Sequence, residues 1–178
     1  MAEEAATRGI VLASHDDDSP ERVDQMVGLG CTIAEFPVSL AAAERARERG
    51  MHIAVGAPNV VRGRSLSGNT SALDLVGRGL VDLLVADYHA PSLLTAIFKV
   101  AGAGALDLPA AARLVTATPA TAVGLDDRGA IVAGRRADLL VVDLHGGFPL
   151  VETTIVAGTP KALLGPAAAA LVRAGAVV

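Results

Sequence analysis

The stretch GIVLASHDDDSPERVDQMVGLG, Gly9 to Gly30, decides the fold. Gly9 to Ser14 is a short apolar run that fits a buried strand, and Ser14 to Pro20 is a polar bend. Glu21 to Leu29 then spaces its apolar residues as a helix, which Gly30 closes. This is one β-loop-α unit. The pattern returns at Cys31 to Phe36 before Ser39 to Arg49, at Met51 to Val55 before Ala72 to Gly79, and at Val81 to Ala86 before Ser92 to Ala101. Strands separated by helices cannot close as hairpins, so four units in series predict a parallel sheet in an α/β architecture.

In every unit the polar or Pro-bearing residues gather just after the strand: Ser14 to Asp18, Glu35 to Pro37, Gly56 to Asn59, and Asp87 to His89. Parallel α/β folds build their active sites at those strand ends. A closed barrel of such units needs eight of them and about 250 residues; four are present here. The half-barrel leaves a strand edge and an inner face open, which favours self-association or a missing N-terminal segment as partner.

Beyond the fourth unit, Pro109 to Val115 and Pro119 to Val123 read as short helices, and Gly129 to Asp143 (GAIVAGRRADLLVVD) as two strands around a Gly134-Arg135 turn. The expected division is 1–125 for the partial barrel, 126–160 for a small β element, and 161–178 for an Ala-rich tail.

Composition narrows the function classes. The 178 residues are 52% hydrophobic with a net charge of −4, enough for one packed core and without polyelectrolyte character. The 15 Lys and Arg are scattered, except for Arg135 and Arg136, and aromatics make up 2%, so nothing supports nucleic-acid binding. Apolar runs fall short of the roughly 20 residues that span a bilayer, and Met1 to Arg8 has no apolar signal core, so no membrane is implied. The single Cys31 cannot form an internal disulfide and fits a buried small hydrophobe in a reducing cytoplasm.

His15 and Asp87 stand at the ends of the first and fourth strands. An imidazole nitrogen and a carboxylate oxygen suit a divalent metal, and the carboxylate can also take a proton from water. Taken singly, each is more often an ordinary hydrogen-bonded residue than a ligand.

Five separated segments, in order, give these residues a context: LASHDD (Leu12 to Asp17), AEFP (Ala34 to Pro37), GAPNVVRG (Gly56 to Gly63), SGN (Ser67 to Asn69) and ADYHAPSLL (Ala86 to Leu94). Together they resemble the α-D-ribose 1-methylphosphonate 5-triphosphate diphosphatases of the carbon–phosphorus lyase pathway, members of the amidohydrolase superfamily. The later stretches LVTATPATAVGL and DRGAIVAGRRADLLVVD are similar to that superfamily's closing pattern. The resemblance implies the C-terminal half of a (β/α)8 TIM-like barrel plus part of a small β-sandwich. It implies a metal-dependent hydrolase that cleaves a phosphorylated sugar 5-triphosphate to the 5-phosphate and pyrophosphate.

Within that resemblance His15 and Asp87 are metal ligands, for zinc, manganese or nickel, and Asp87 is also the general base. Arg62, Asn59, Gly63, Asn69 and His89 are substrate-binding residues, Arg62 within the loop NVVRGRSLSGN offering a bidentate fork to phosphate. Asp16, Asp17 and Glu35 support the site, the two aspartates by orienting His15. The same aspartates also suit a solvated helix start, and Glu35 an ion pair with an arginine.

The sequence departs from the family at three points. It has no His-x-His pair, its two lysines, Lys99 and Lys161, fall too late to serve as a mid-barrel ligand, and Leu66 stands where the family pattern SHSGN has a histidine. A binuclear site is therefore not expected from this chain alone. The alternatives are an amidohydrolase acting on amides or cyclic imides, and an inactive interaction fragment.

Overall fold

A computed structural model describes residues 2–63 and 70–165. The chain divides into two compact units, Met1–Gly124 and Leu125–Val178.

After α1 (Ala2–Thr7), the first unit runs β1 (Leu12–His15), α2 (Pro20–Gly28), β2 (Cys31–Glu35), α3 (Leu40–Glu48), β3 (His52–Gly56), α4 (Ala57–Arg62), α5 (Ala72–Gly77) and β4 (Leu83–Val85). It closes with α6 (Ser92–Gly102), α7 (Leu108–Arg113) and α8 (Ala117–Ala122). The sheet is parallel throughout, in the order β1-β2-β3-β4.

Local chemistry sets the helix starts. Ser19 accepts from Arg22 N at 3.2 Å with Pro20 in the first turn, Ser39 accepts from Ala42 N at 3.1 Å, and Asp107 accepts from Ala110 N at 2.7 Å. Each side chain satisfies a helix N–H that has no intrahelical partner.

Two expectations change here. Residues Ala57 to Arg62 form a helix rather than a loop: Pro58 occupies the first turn, where a missing N–H costs nothing, and Gly63 at φ +76° ends it. Arg62 thus sits in the last turn of α4. The inner sheet face is also partly covered, since Ile33, Ala54 and Leu83 are buried with Ala122 of α8. The opposite face carries the main core, where Ala34, Ile53, Val55 and Leu84 meet Val23, Val60, Leu75 and Val100 from the helices. Alternation along each strand sends side chains to both faces, so both read as apolar. The β4 edge is not fully open, because Leu84 N donates to Leu114 O at 2.9 Å.

The second unit is a three-stranded antiparallel sheet, β5 (Leu139–His145), β6 (Phe148–Val156) and β7 (Thr159–Leu163). Its turns are Gly146-Gly147 and Ala157-Gly158, all four residues at positive φ as two-residue hairpins of this type require. The expected hairpin about Gly134 does not form. Residues before Asp138 make irregular turns instead, through Val132 N to Ala130 O, Arg135 N to Val132 O and Arg136 N to Asp127 O, and Ile131 is exposed. Strand β5 therefore finds its partner downstream, and β7 continues to Leu163, past the point where the Ala-rich tail was expected to begin. The rest of that tail, 166–178, lies outside the described residues.

Candidate active site at the strand ends

Among the described residues, three of the four non-glycine positions with left-handed backbone lie just past strand ends of the parallel sheet: Asp16 at φ +56°, Phe36 at +56° and Asp87 at +51°. Asp16 N still donates to Glu35 O (3.0 Å), and Phe36 N to Ala54 O (2.9 Å). The chain therefore turns sharply one residue after its last sheet hydrogen bond. Aspartate tolerates this conformation better than most residues; phenylalanine does not, and such strain costs of order 1–3 kcal/mol. Strain concentrated on one rim of a sheet makes that rim the candidate site.

His15, Phe36, Asn59, Arg62 and Tyr88 form a row along this rim. The His15 ring meets Phe36 edge-on with centroids 5.2 Å apart, and its Nδ1 lies 3.2 Å from an Asp16 carboxylate oxygen. That carboxylate can accept from Nδ1–H and so leave the Nε2 lone pair for a metal ion. Next along the row is Gly56, where a Cβ would lie 3.5 Å from both the Phe36 ring and the Asn59 amide. Arg62 then donates to Asn59 Oδ1 at 2.9 Å and to the Tyr88 hydroxyl at 2.7 Å. Tyr88 and Lys99 were not singled out from sequence. Lys99 Nζ donates to Val61 O, at the end of the same helix. Tyr88 adjoins Asp87 in the segment already picked out, whereas nothing local in sequence signals Lys99.

Other candidates fall differently. Asp17 does not reach His15: its carboxylate is fully buried, accepts from the Ser14 hydroxyl, and holds Arg22 Nε only at 3.9 Å. The residue ties two strand-end loops together instead, since Val38 N donates to Asp17 O. Glu35 is half-buried and makes no ion pair among the described residues. The His89 side chain is exposed, while its carbonyl accepts from the Ser92 hydroxyl at 2.6 Å. Gly63 flanks Arg62, and Asn69 lies outside the described residues. Cys31 is half-buried and packs against the core, and burial pushes its thiol pKa up, with Asp17 adding to the effect. A groove lined by Leu73, Asp74, Arg78 and Ala103 contains none of these rim residues.

The rim matches a divalent cation in donor type but not in completeness. Adjacent strands lie about 4.8 Å apart, so β1 and β4 are separated by roughly 14 Å along the sheet. Among the described residues, His15, Asp16, Glu35 and Asp87 do not bring three donor atoms within 4.8 Å of one another.

Residues 92–178 match the family model described as the amidohydrolase family. Over 136 residues, 75% of its length, the chain is 49% identical to the α-D-ribose 1-methylphosphonate 5-triphosphate diphosphatase of Escherichia coli (strain K12). The resemblance is to the amidohydrolases. The amidohydrolase-like chain spans 36% of that relative. Solved structures show the fold alone. An amidohydrolase from Thermotoga maritima superposes with TM-score 0.69 at 19% identity, over 88% of this chain and 45% of that one. N-acetylglucosamine-6-phosphate deacetylase from Pasteurella multocida gives 0.64 at 14%, over 90% and 54%. The four β/α units accordingly share the fold of part of the barrel in those structures. No helix among the described residues is long and apolar enough to cross a membrane.

Proposed function

We propose that the chain forms part of a cytoplasmic, metal-dependent hydrolase that releases pyrophosphate from α-D-ribose 1-methylphosphonate 5-triphosphate, leaving the 5-phosphate. The observation that carries this reading is the 49% identity over 136 residues to the E. coli diphosphatase. The strained, polar rim of the sheet supports it.

In this reading His15 and Asp87 would each contribute a donor to a divalent-metal centre whose other ligands come from outside the described residues. When bound, such an ion lowers the pKa of its water toward about 7. Asp87 is the carboxylate that accepts the water proton, and its exposed position past β4 leaves it open to solvent and substrate. Arg62 binds the polyphosphate. Its guanidinium is exposed, and the bonds to Asn59 and Tyr88 would hold it in place for a phosphate oxygen. The remainder of the barrel comes from a further segment or from association with another chain.

The test joins this chain to the complementary part of the E. coli relative and assays pyrophosphate release with and without added metal, with hydantoin-type substrates in parallel. Metal-dependent release that falls at least 100-fold in Asp87→Asn is the expected result. Turnover of cyclic imides with silence on the triphosphate overturns the proposal.

A further inference from the structure

The second unit carries a donor cluster that the reading above does not use. Asp143, His145 and Glu152 each place one ligand atom within 4.8 Å of the others. Asp143 and His145 lie two residues apart on β5, so they share one face of the strand. Glu152 comes from β6, where Val142 pairs with Val151 and Val141 with Thr153, leaving Glu152 as the extra residue of a bulge. Bulges re-aim side chains in this way.

The cluster is also held in place. Asp143 Oδ1 accepts from Leu144 N at 2.8 Å, while Oδ2 lies 3.2 Å from His145 Nε2. The Gly146-Gly147 turn follows directly and fixes the pairing of His145 with Phe148.

From this geometry we propose that Asp143, His145 and Glu152 bind a single divalent transition-metal ion, of the zinc or nickel type, using none of the strand-end residues of the first unit. The imidazole nitrogen disfavours magnesium and calcium, which take oxygen ligands. Two carboxylates offset the charge of the ion, which in turn removes their mutual repulsion. Ligation at Nε2 replaces any proton there with the metal. Bonds of about 2.0–2.2 Å require the three donors to close in somewhat, which exposed side chains on a fixed hairpin can do by rotation. Three protein ligands leave a further position for water or a small anion.

The test is titration of the whole chain with Zn²⁺ against a chromophoric chelator, and with Co²⁺ by visible absorption. The variants are His145→Ala, Glu152→Gln and the double variant His15→Ala/Asp87→Asn. The expected result is one equivalent bound by the parent and by the double variant, with affinity at least tenfold weaker in His145→Ala and Glu152→Gln. Zinc should also shift the His145 ring resonances of the parent chain, a readout that needs no variant to fold. Equal binding by His145→Ala and the parent overturns the proposal, as does no binding by the parent. Loss of binding confined to the double variant overturns it too, while favouring the strand-end metal site.

Discussion

Arg62, in the last turn of α4, donates to the hydroxyl of Tyr88, beyond β4, across a 2.7 Å hydrogen bond. The same guanidinium holds Asn59 of its own helix at 2.9 Å. Two strand-end segments are thereby joined through a cation, and Tyr88 is the immediate neighbour of Asp87. A guanidinium is thus tied to the turn that carries the proposed base.

Arg62→Lys should weaken binding of inorganic tripolyphosphate to this chain by roughly tenfold, since a lysine keeps the charge but loses the planar fork. Tyr88→Phe removes a neutral partner and frees a guanidinium donor, so affinity should stay within about threefold of the parent. Isothermal titration at fixed salt separates the two. Equal affinity for Arg62→Lys and the parent would remove Arg62 from the anion-binding surface.

Ser14→Ala should lower unfolding stability by about 2–3 kcal/mol, as hydrogen bonds to buried charged groups are worth this much. Ser14 donates to one oxygen of the fully buried Asp17 carboxylate, and the other oxygen has no hydrogen-bond partner among the described residues. Losing the hydroxyl strands both. Urea denaturation measures the cost, and a change below about 0.5 kcal/mol would mean that Arg22 or water already satisfies the carboxylate.

The parallel sheet was legible because its strands are short apolar runs punctuated by Gly30, Gly50 and Gly79, each at positive φ after a helix. The strand-end position of His15 and Asp87 followed from the same periodicity. Helix α4 was missed because its Gly-Ala-Pro-Asn start reads as a turn, although Pro in a first helical turn carries the opposite meaning. For the antiparallel sheet, LLVVD reads as a strand, but its partner follows the Gly146-Gly147 turn just beyond that stretch, and the Gly134-Arg135 pair upstream mimics a hairpin turn. The contrast between Asp16, which reaches His15, and Asp17, which turns inward to Ser14, depends on the left-handed backbone at Asp16. Nothing in three consecutive aspartates encodes that turn.

Gly63→Ala should destabilise the first unit by about 1–2 kcal/mol, because an L side chain at φ +76° crowds its own backbone. Space is not the difficulty. Among the described residues the nearest atom to a new Cβ is Lys99 Nζ at 3.7 Å, an ordinary contact. Gly63→Asn should therefore cost less than Gly63→Ala despite its larger side chain, since asparagine tolerates the left-handed region. The order of the two unfolding midpoints checks this, and the reverse order would point to packing rather than backbone conformation.

Asp24 should give the fold a measurable acid sensitivity. The Arg45 guanidinium lies bidentate on its carboxylate at 2.9 and 2.8 Å, and Arg49 approaches at 3.1 Å, joining α2 to α3 and the residue that ends it. The hydrogen bonds from Arg45 hold the Asp24 carboxyl below its ordinary value of 3.8. A carboxyl depressed in the folded state stabilises the fold fully above the unfolded value and loses that contribution as pH falls through the folded one. At pH 7, Asp24→Asn should thus unfold at lower urea than the parent. The difference should shrink below about pH 4 and vanish once the carboxyl is protonated in both states. Both groups are solvent-exposed enough for salt to screen them, so 1 M NaCl should narrow the gap at pH 7. Parallel midpoint curves for the two proteins from pH 7 to pH 2 would show instead that Asp24 acts through packing and not through its charge.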